Sequence, residues 1–437
     1  MQEQTTDDRI VSGTIPSDRA RLLLILACHV ACCCVSLLVV VDSYGVPLRL
    51  AAIDGSRVWA AAINVAAFAA VAPIFAFARF SFGYALGFYF YTMILGYLWL
   101  VAFSTFPYNH AMASVSAFAS ALAFMAPVLL INSPAKPRFA LTPDALNKLL
   151  SFILAVAVAV IAAGAIYNFR FVSFSDMSTF RDELKFPRAL EYAIGITSGA
   201  LLPFAFACFL RVRMRLRATL CLVLLALFWP ITLSKTSLFA PLWLMFLVGL
   251  SRILSIRMAV IASLLLPLAL GVLAAALYAR GLLPERTFYT YFGTVNFRMA
   301  ALTSSALDFY NDYFSRNDLM YFCQIGLIKS FVTCAHQEQL SVVMQNAYHI
   351  GNFNASLFAT EGIASVGMTF APLAALGCGL LISLGNRASA GLPGDFVLIS
   401  GGMMLNILMN VPLSVALVTH GALILSLLWY VTPRGRS

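Results

Sequence analysis

Apolar runs of membrane-spanning length recur along almost the whole chain, at residues 22–41, 58–78, 82–103, 111–131, 149–167, 191–210, 218–233, 237–250, 258–279, 362–384, 396–410 and 413–430. A helix crosses the hydrocarbon core of a bilayer with roughly 17 to 25 apolar residues, so each run predicts a span, although three are marginal in length. A soluble domain needs far more polar surface than this chain offers: 61% of its 437 residues are hydrophobic and only 11% are charged. Lipid must therefore be part of its solvent. The expected fold class is all-α, a polytopic integral membrane protein with about 12 transmembrane helices. A single membrane domain over 22–430 is expected, with cytoplasmic tails at 1–21 and 431–437. Nothing ahead of the first run reads as a cleaved signal peptide.

The runs either side of Ser234, Lys235 and Thr236 carry Pro230 and Pro241, so they read either as two spans or as a re-entrant hairpin. Both readings return the chain to the side it left. The same choice applies around Pro412. Basic loops then set the orientation. With the N-terminus inside, the cytoplasmic face holds Arg79, Lys136, Arg138, Lys148, the Arg211/Arg213/Arg215/Arg217 cluster, Arg252, Arg257, Arg387, Arg434 and Arg436. That face carries the whole formal charge of +10, and the outer segments net to zero, as the positive-inside rule requires. Membrane topology thus accounts for the basic balance, and no basic soluble module is present to bind nucleic acid.

Two outer segments, 168–190 and 280–361, hold basic residues that topology does not explain: Arg170, Arg181, Lys185 and Arg188 in the first, Arg286, Arg298, Arg316 and Lys329 in the second. A planar guanidinium fork suits phosphate, which makes a bound anion the sharper reading. Snorkelling to headgroups, or pairing with Asp182, Glu183 and Glu191, is the plainer one. The spacing of Phe297, Ala301, Leu307, Tyr310 and Phe314 predicts a helix lying along the interface. The short apolar run 320–332 reads as a second surface helix or a re-entrant piece. Tyr289, Tyr291, Phe292, Tyr313 and Tyr321 suit either sugar faces or an interfacial aromatic belt. Cys323 and Cys334 are the two cysteines outside the apolar runs, and they are free to pair if that segment is extracytoplasmic. Within the spans, His29 and His420 read as packing residues, and the ionisable groups of an ion-coupled carrier are missing. No paired-Asp motif or His/Cys set points to a metal, and no cofactor is expected.

Residues 352–367 read NFNASLFATEGIASVG, with Asn352, Asn354, Glu361, Gly362 and Gly367 as the distinctive positions. This resembles the signature of bacterial oligosaccharide repeat-unit polymerases, the O-antigen and exopolysaccharide polymerases of the Wzy type. Arg181, Pro187, Arg188, Tyr192 and Pro203 match that family's Arg-bearing outer loop and following span. Ser234-Lys235-Thr236 matches its short basic break, and Arg298 matches the Arg that opens its long outer loop. The resemblance covers residues 171–385 and implies a GT-C-like membrane glycosyltransferase in a bacterial inner membrane. Its implied substrate is an undecaprenyl-diphosphate-linked oligosaccharide, with membrane lipids and a chain-length regulator as further partners. It also implies that Arg170, Arg181, Arg188, Lys235 and Arg298 hold the diphosphate, and that His349 or Glu361 acts as base, without a metal. O-antigen ligases share the general layout and often have a His near the end of this loop, a part that His349 suits. A flippase or transporter is the rival from another class. The bulk of the polar chain lies outside between the ninth and tenth runs, which favours surface chemistry over alternating access.

Overall fold

The computed structural model describes residues 16–135, 139–173, 177–326, 328–331, 334–336, 338–350 and 355–434. Among them the chain is helical, and one isolated bridge, Leu50 to Ser104, joins two loops. The first half runs through α1 (Pro16–Tyr44), α2 (Gly55–Ala69), α3 (Ile74–Phe77), α4 (Phe82–Leu100), α5 (His110–Leu130), α6 (Pro143–Tyr167), α7 (Met177–Asp182), α8 (Arg188–Ile196) and α9 (Leu202–Arg211). Then follow α10 (Arg215–Thr232), α11 (Lys235–Ile253), α12 (Ile256–Ala279), α13 (Glu285–Thr294), α14 (Thr303–Phe314), α15 (Leu340–Tyr348), α16 (Ser365–Ser389), α17 (Gly394–Asn410), α18 (Leu413–Val418) and α19 (Ala422–Val431). Local chemistry sets many of the starts. Asp54, Ser81, Asn109 and Thr142 each accept a hydrogen bond from a backbone N–H in the first turn that follows, which satisfies a donor the helix leaves orphaned.

Nine helices among the described residues, from 18 to 32 residues long, are apolar and long enough to cross a membrane. The chain is a multi-pass membrane protein. α10 and α11 are both in that set, so the stretch around Ser234 is a break between two full-length helices. α17 and α19 are apolar but shorter.

All 19 residues of α4 are buried. A helix that is apolar all round belongs at the centre of a bundle, and α1, α2, α5, α12, α14, α16 and α17 pack around it. α14 reaches α4 through Gly96, where an added Cβ would collide with Ser304 Oγ. The Ser304 hydroxyl donates to Met93 O at 2.8 Å. With no side chain at Gly96, the two helices touch through backbone and a serine.

This packing corrects one expectation. The periodic stretch from Phe297 to Phe314 does form helix, but α14 is buried on nearly every side instead of lying along an interface. Its aromatics face protein. The described residues of the 320–332 run form no surface helix either. They make a string of turns with a short 3-10 turn at Ile328–Ser330, and the Cys323–Cys334 disulfide closes it. A straight helix over the 11-residue separation of the two cysteines would set its ends about 16 Å apart, whereas the disulfide holds the two Cα atoms 5.8 Å apart.

Candidate functional site

α10 ends where Leu233 adopts a left-handed backbone (φ +48°), and α11 starts afresh at Lys235. The last carbonyls of a helix have no partner within it, and here residues just beyond α6 supply them. Asn168 Nδ2 donates to Pro230 O at 3.0 Å and to Ile231 O at 2.9 Å, and Arg170 N–H donates to Pro230 O at 2.9 Å. The start of the 168–190 segment is thereby fixed against the break.

Arg298 reaches the same neighbourhood from the long segment. Asn296, fully buried, donates to Ser36 Oγ and to Leu268 O, each at 2.9 Å. Gly271 leaves the space this needs, since any Cβ there would overlap the Asn296 amide. The anchored chain continues as a π-helical stretch, Phe297–Leu302, that carries Arg298. Lys235 feels the charges of both Arg298 and Arg181, and Arg298 feels that of Arg181. Three cations from three distant segments therefore share one electrostatic neighbourhood at one end of the bundle. The Arg298 side chain is exposed, yet surrounding protein desolvates it and, with the Arg181 charge, lowers its pKa from the usual guanidinium value.

The remaining sequence-derived residues divide. Arg170 is beside the break through its backbone and has an exposed side chain. Arg188 opens α8, also exposed, and is not among the charges felt at Lys235 or Arg298. Glu361 is buried in a second π-helical stretch, Phe358–Ala364. Its carboxylate accepts from Ser414 N–H at 2.9 Å, Ser414 Oγ at 2.8 Å and Thr360 Oγ1 at 2.6 Å. Those bonds place it at the N-terminus of α18, as a cap. His349 is exposed and closes α15 with a left-handed backbone (φ +56°). No hydrogen bond joins it to Glu361 among the described residues. Gly362 is buried in the π-helical stretch, and Gly367 makes the kink within α16 with φ +74° and ψ 165°, a conformation open essentially to glycine alone. Asn352 and Asn354 lie outside the described residues.

A second polar group was not read from the sequence. On α14, Asp308, Asn311 and Asp312 are each at most 1% exposed. Tyr108 OH donates to Asp308 Oδ1, Tyr97 and Tyr108 hydroxyls lie 3.2 Å apart, and Asn311 Nδ2 donates to Tyr97 OH at 3.0 Å. Asp312 Oδ2 pairs with Arg316 and accepts from Tyr348 OH at 2.6 Å. Burial raises the Asp308 carboxyl to about 7; hydrogen bonds from Tyr108 and Ser104 oppose the rise, and the Asp312 charge adds to it. The sequence signal was an Asp pair at i, i+4 with an Asn between.

Fold and site together define a multi-pass helical membrane protein with a cluster of cations at one end of its bundle. No family model, curated protein or solved structure matches the chain.

Proposed function

We propose that this protein is a polymerase that joins undecaprenyl-diphosphate-linked oligosaccharide units at the outer leaflet of a bacterial inner membrane. The observation that carries this reading is the meeting of Arg181, Lys235 and Arg298. Like charges held together in a partly desolvated place repel one another, and a bound polyanion relieves that repulsion. A diphosphate leaving group gains negative charge as the glycosidic bond breaks, and fixed donors aimed at it lower the barrier. The growing chain would leave its lipid diphosphate and pass to a hydroxyl of the next lipid-linked unit. The Cys323–Cys334 disulfide supports an oxidising, extracytoplasmic setting for the long segment. About 12 spans and a GT-C-like layout belong to the same reading.

Deleting the gene tests it. Single repeat units with no long polymer is the expected result, and normal chain length would overturn it. Chains that polymerise but fail to reach lipid A–core would point to the ligase instead.

A further inference from the structure

Three chain breaks meet at the start of the central helix. α3 gives way to α4 across Ala78–Ser81, α5 ends at Leu130, and α16 turns into α17 across Ala390–Pro393. Between them lies a cavity of about 680 Å³, lined by Arg79, Ser81, Asn132 and Ser389 and by apolar side chains that include Phe80 and Leu392. That volume is within the range of small-molecule pockets. α14 meets α4 at Gly96, so about 20 Å of helix separates the cavity from the long segment.

Helix C-termini present bare carbonyls, which would repel an anion placed here. At this cavity those carbonyls have donors. Arg257 Nη1 donates to Ala76 O at 3.0 Å, and Arg434 Nη2 to Ala388 O at 3.1 Å. Asn132 Nδ2 donates to Leu129 O at 2.6 Å, and Asn386 Nδ2 to Val128 O at 2.8 Å. Arg79 differs from the arginines around it. It lines the cavity, is exposed, and has no hydrogen-bond or ionic partner among the described residues. No carboxylate lines the cavity; the acid nearest along the chain to a lining residue is the exposed Asp395, two residues before Val397.

The outer rim is apolar. Phe77 and Leu130 line the cavity and are 63% and 79% exposed, and each closes a helix long enough to span the membrane. Their free surface therefore belongs to the hydrocarbon edge. Arg19 stands over the Phe77 ring at 5.5 Å, which adds a second cation at the rim. An inorganic anion has no use for such a wall. A lipid with an anionic headgroup uses both halves, and basic pockets between spanning helices on the cytoplasmic side suit such headgroups. Snorkelling accounts for an arginine at this depth, but it needs neither a cavity nor carbonyls already supplied with donors.

We propose that this cavity binds the headgroup of an anionic phospholipid, with its phosphate on Arg79 and its acyl chains along Phe77 and Leu130. The lipid would wedge between the α3–α4 break, the end of α5 and the α16–α17 turn, and brace that end of the bundle. The proposal does not rest on the polymerase reading, and its test reads no activity.

The test uses the full chain, delipidated in detergent micelles at constant ionic strength. Phosphatidylglycerol or phosphatidylcholine is titrated in while the thermal midpoint is followed, and native mass spectrometry counts the lipid retained. A saturable rise with about one phosphatidylglycerol per chain is expected, phosphatidylcholine being about tenfold weaker or more. Arg79→Gln should weaken phosphatidylglycerol binding about tenfold, the loss of one charge-assisted contact, and leave the lipid-free midpoint unchanged. Arg215→Gln, which removes an exposed charge away from the cavity, should leave binding as it is. Equal binding of the two lipids by the wild type overturns the proposal. So does phosphatidylglycerol binding that Arg79→Gln leaves intact, or that both variants weaken alike, since general attraction to a basic surface then explains it. Inorganic phosphate giving the same Arg79-dependent rise overturns it as well, in favour of an aqueous anion.

Discussion

The carboxylate of Glu361 takes both the backbone N–H and the hydroxyl of Ser414, so one side chain ties the start of the tenth apolar run to the start of the last. This contact gives Glu361 a structural task whatever else it does. Glu361→Ala should destabilise the protein by about 2 kcal/mol, through loss of a cap and an unsatisfied Ser414 N–H. Glu361→Gln, which keeps one acceptor, should cost about 1 kcal/mol. Thermal midpoints of the purified variants check this. If Glu361→Gln keeps its midpoint and loses polymer, the carboxylate acts in chemistry and not as a cap.

Gly96 is where α14 meets the central helix. Gly96→Ala forces a methyl group into Ser304 Oγ and Ala300 O. Overpacking of that kind costs about 1–3 kcal/mol. Gly96→Ala combined with Ser304→Ala should recover part of the loss, because the hydroxyl is the nearest obstacle. A midpoint for Gly96→Ala equal to wild type would mean that α14 does not approach α4 this closely.

The disulfide yields a test of sidedness. Replacing both Cys323 and Cys334 by serine should lower stability by roughly 3 kcal/mol, the loop-closure value for a short loop. In intact cells, a membrane-impermeant thiol reagent should label these cysteines only after an impermeant reductant has been added. Labelling without reduction would mean that the two thiols are unpaired but still outside, whereas none after reduction would place the long segment elsewhere. The orientation would then fail with it.

Asp308 makes stability depend on pH. Burial raises its folded-state pKa from the ordinary aspartate value of 3.8 to about 7. A group raised on folding contributes stability that is complete below its unfolded pKa and is lost as pH rises through its folded one. The thermal midpoint should therefore fall between about pH 4 and pH 8. The groups facing Asp308 are Tyr108 and Ser104 from the α4–α5 loop and Asp312 on α14, with Tyr97 of α4 reaching it through Tyr108. Arg316 and Tyr348 act on Asp312. Asp308→Asn should flatten the curve, and an unchanged slope in that variant would assign it to another group.

Much of this was legible in the residues because hydrophobic length is a local signal. Residues 82–103 read as a span from their composition alone, but that α4 is the buried centre depends on seven partners spread over the chain. The odd basic residues of the outer segments stood out singly. Bringing Arg181, Lys235 and Arg298 together required the Asn168 and Asn296 anchors, whose partners lie about 60 and 260 residues away. Aromatic periodicity around Tyr310 and Phe314 suits an interfacial helix as well as a buried one, and Asp308 and Asp312 have the same helical spacing. The capping role of Glu361 depends on Ser414, which no short motif contains.

The cation cluster should respond to charge and to shape separately. Arg298 has an exposed side chain that surrounding protein partly desolvates, so its replacement should fold well and reveal the site directly. Arg298→Ala and Arg181→Ala should each abolish long polymer while protein stays in the membrane at wild-type level. Losing one fixed donor to a developing anion typically costs about 100- to 1000-fold in rate. Arg298→Lys keeps the charge and loses the planar fork, so it should retain partial activity if charge dominates and almost none if bidentate phosphate contact does. Arg188→Ala, outside the felt cluster, should do less harm than either. Chain-length profiles of surface polysaccharide from complemented deletion strains measure all four variants. Wild-type polymer from both Arg181→Ala and Arg298→Ala would mean that these three cations were gathered for some anion other than the departing diphosphate.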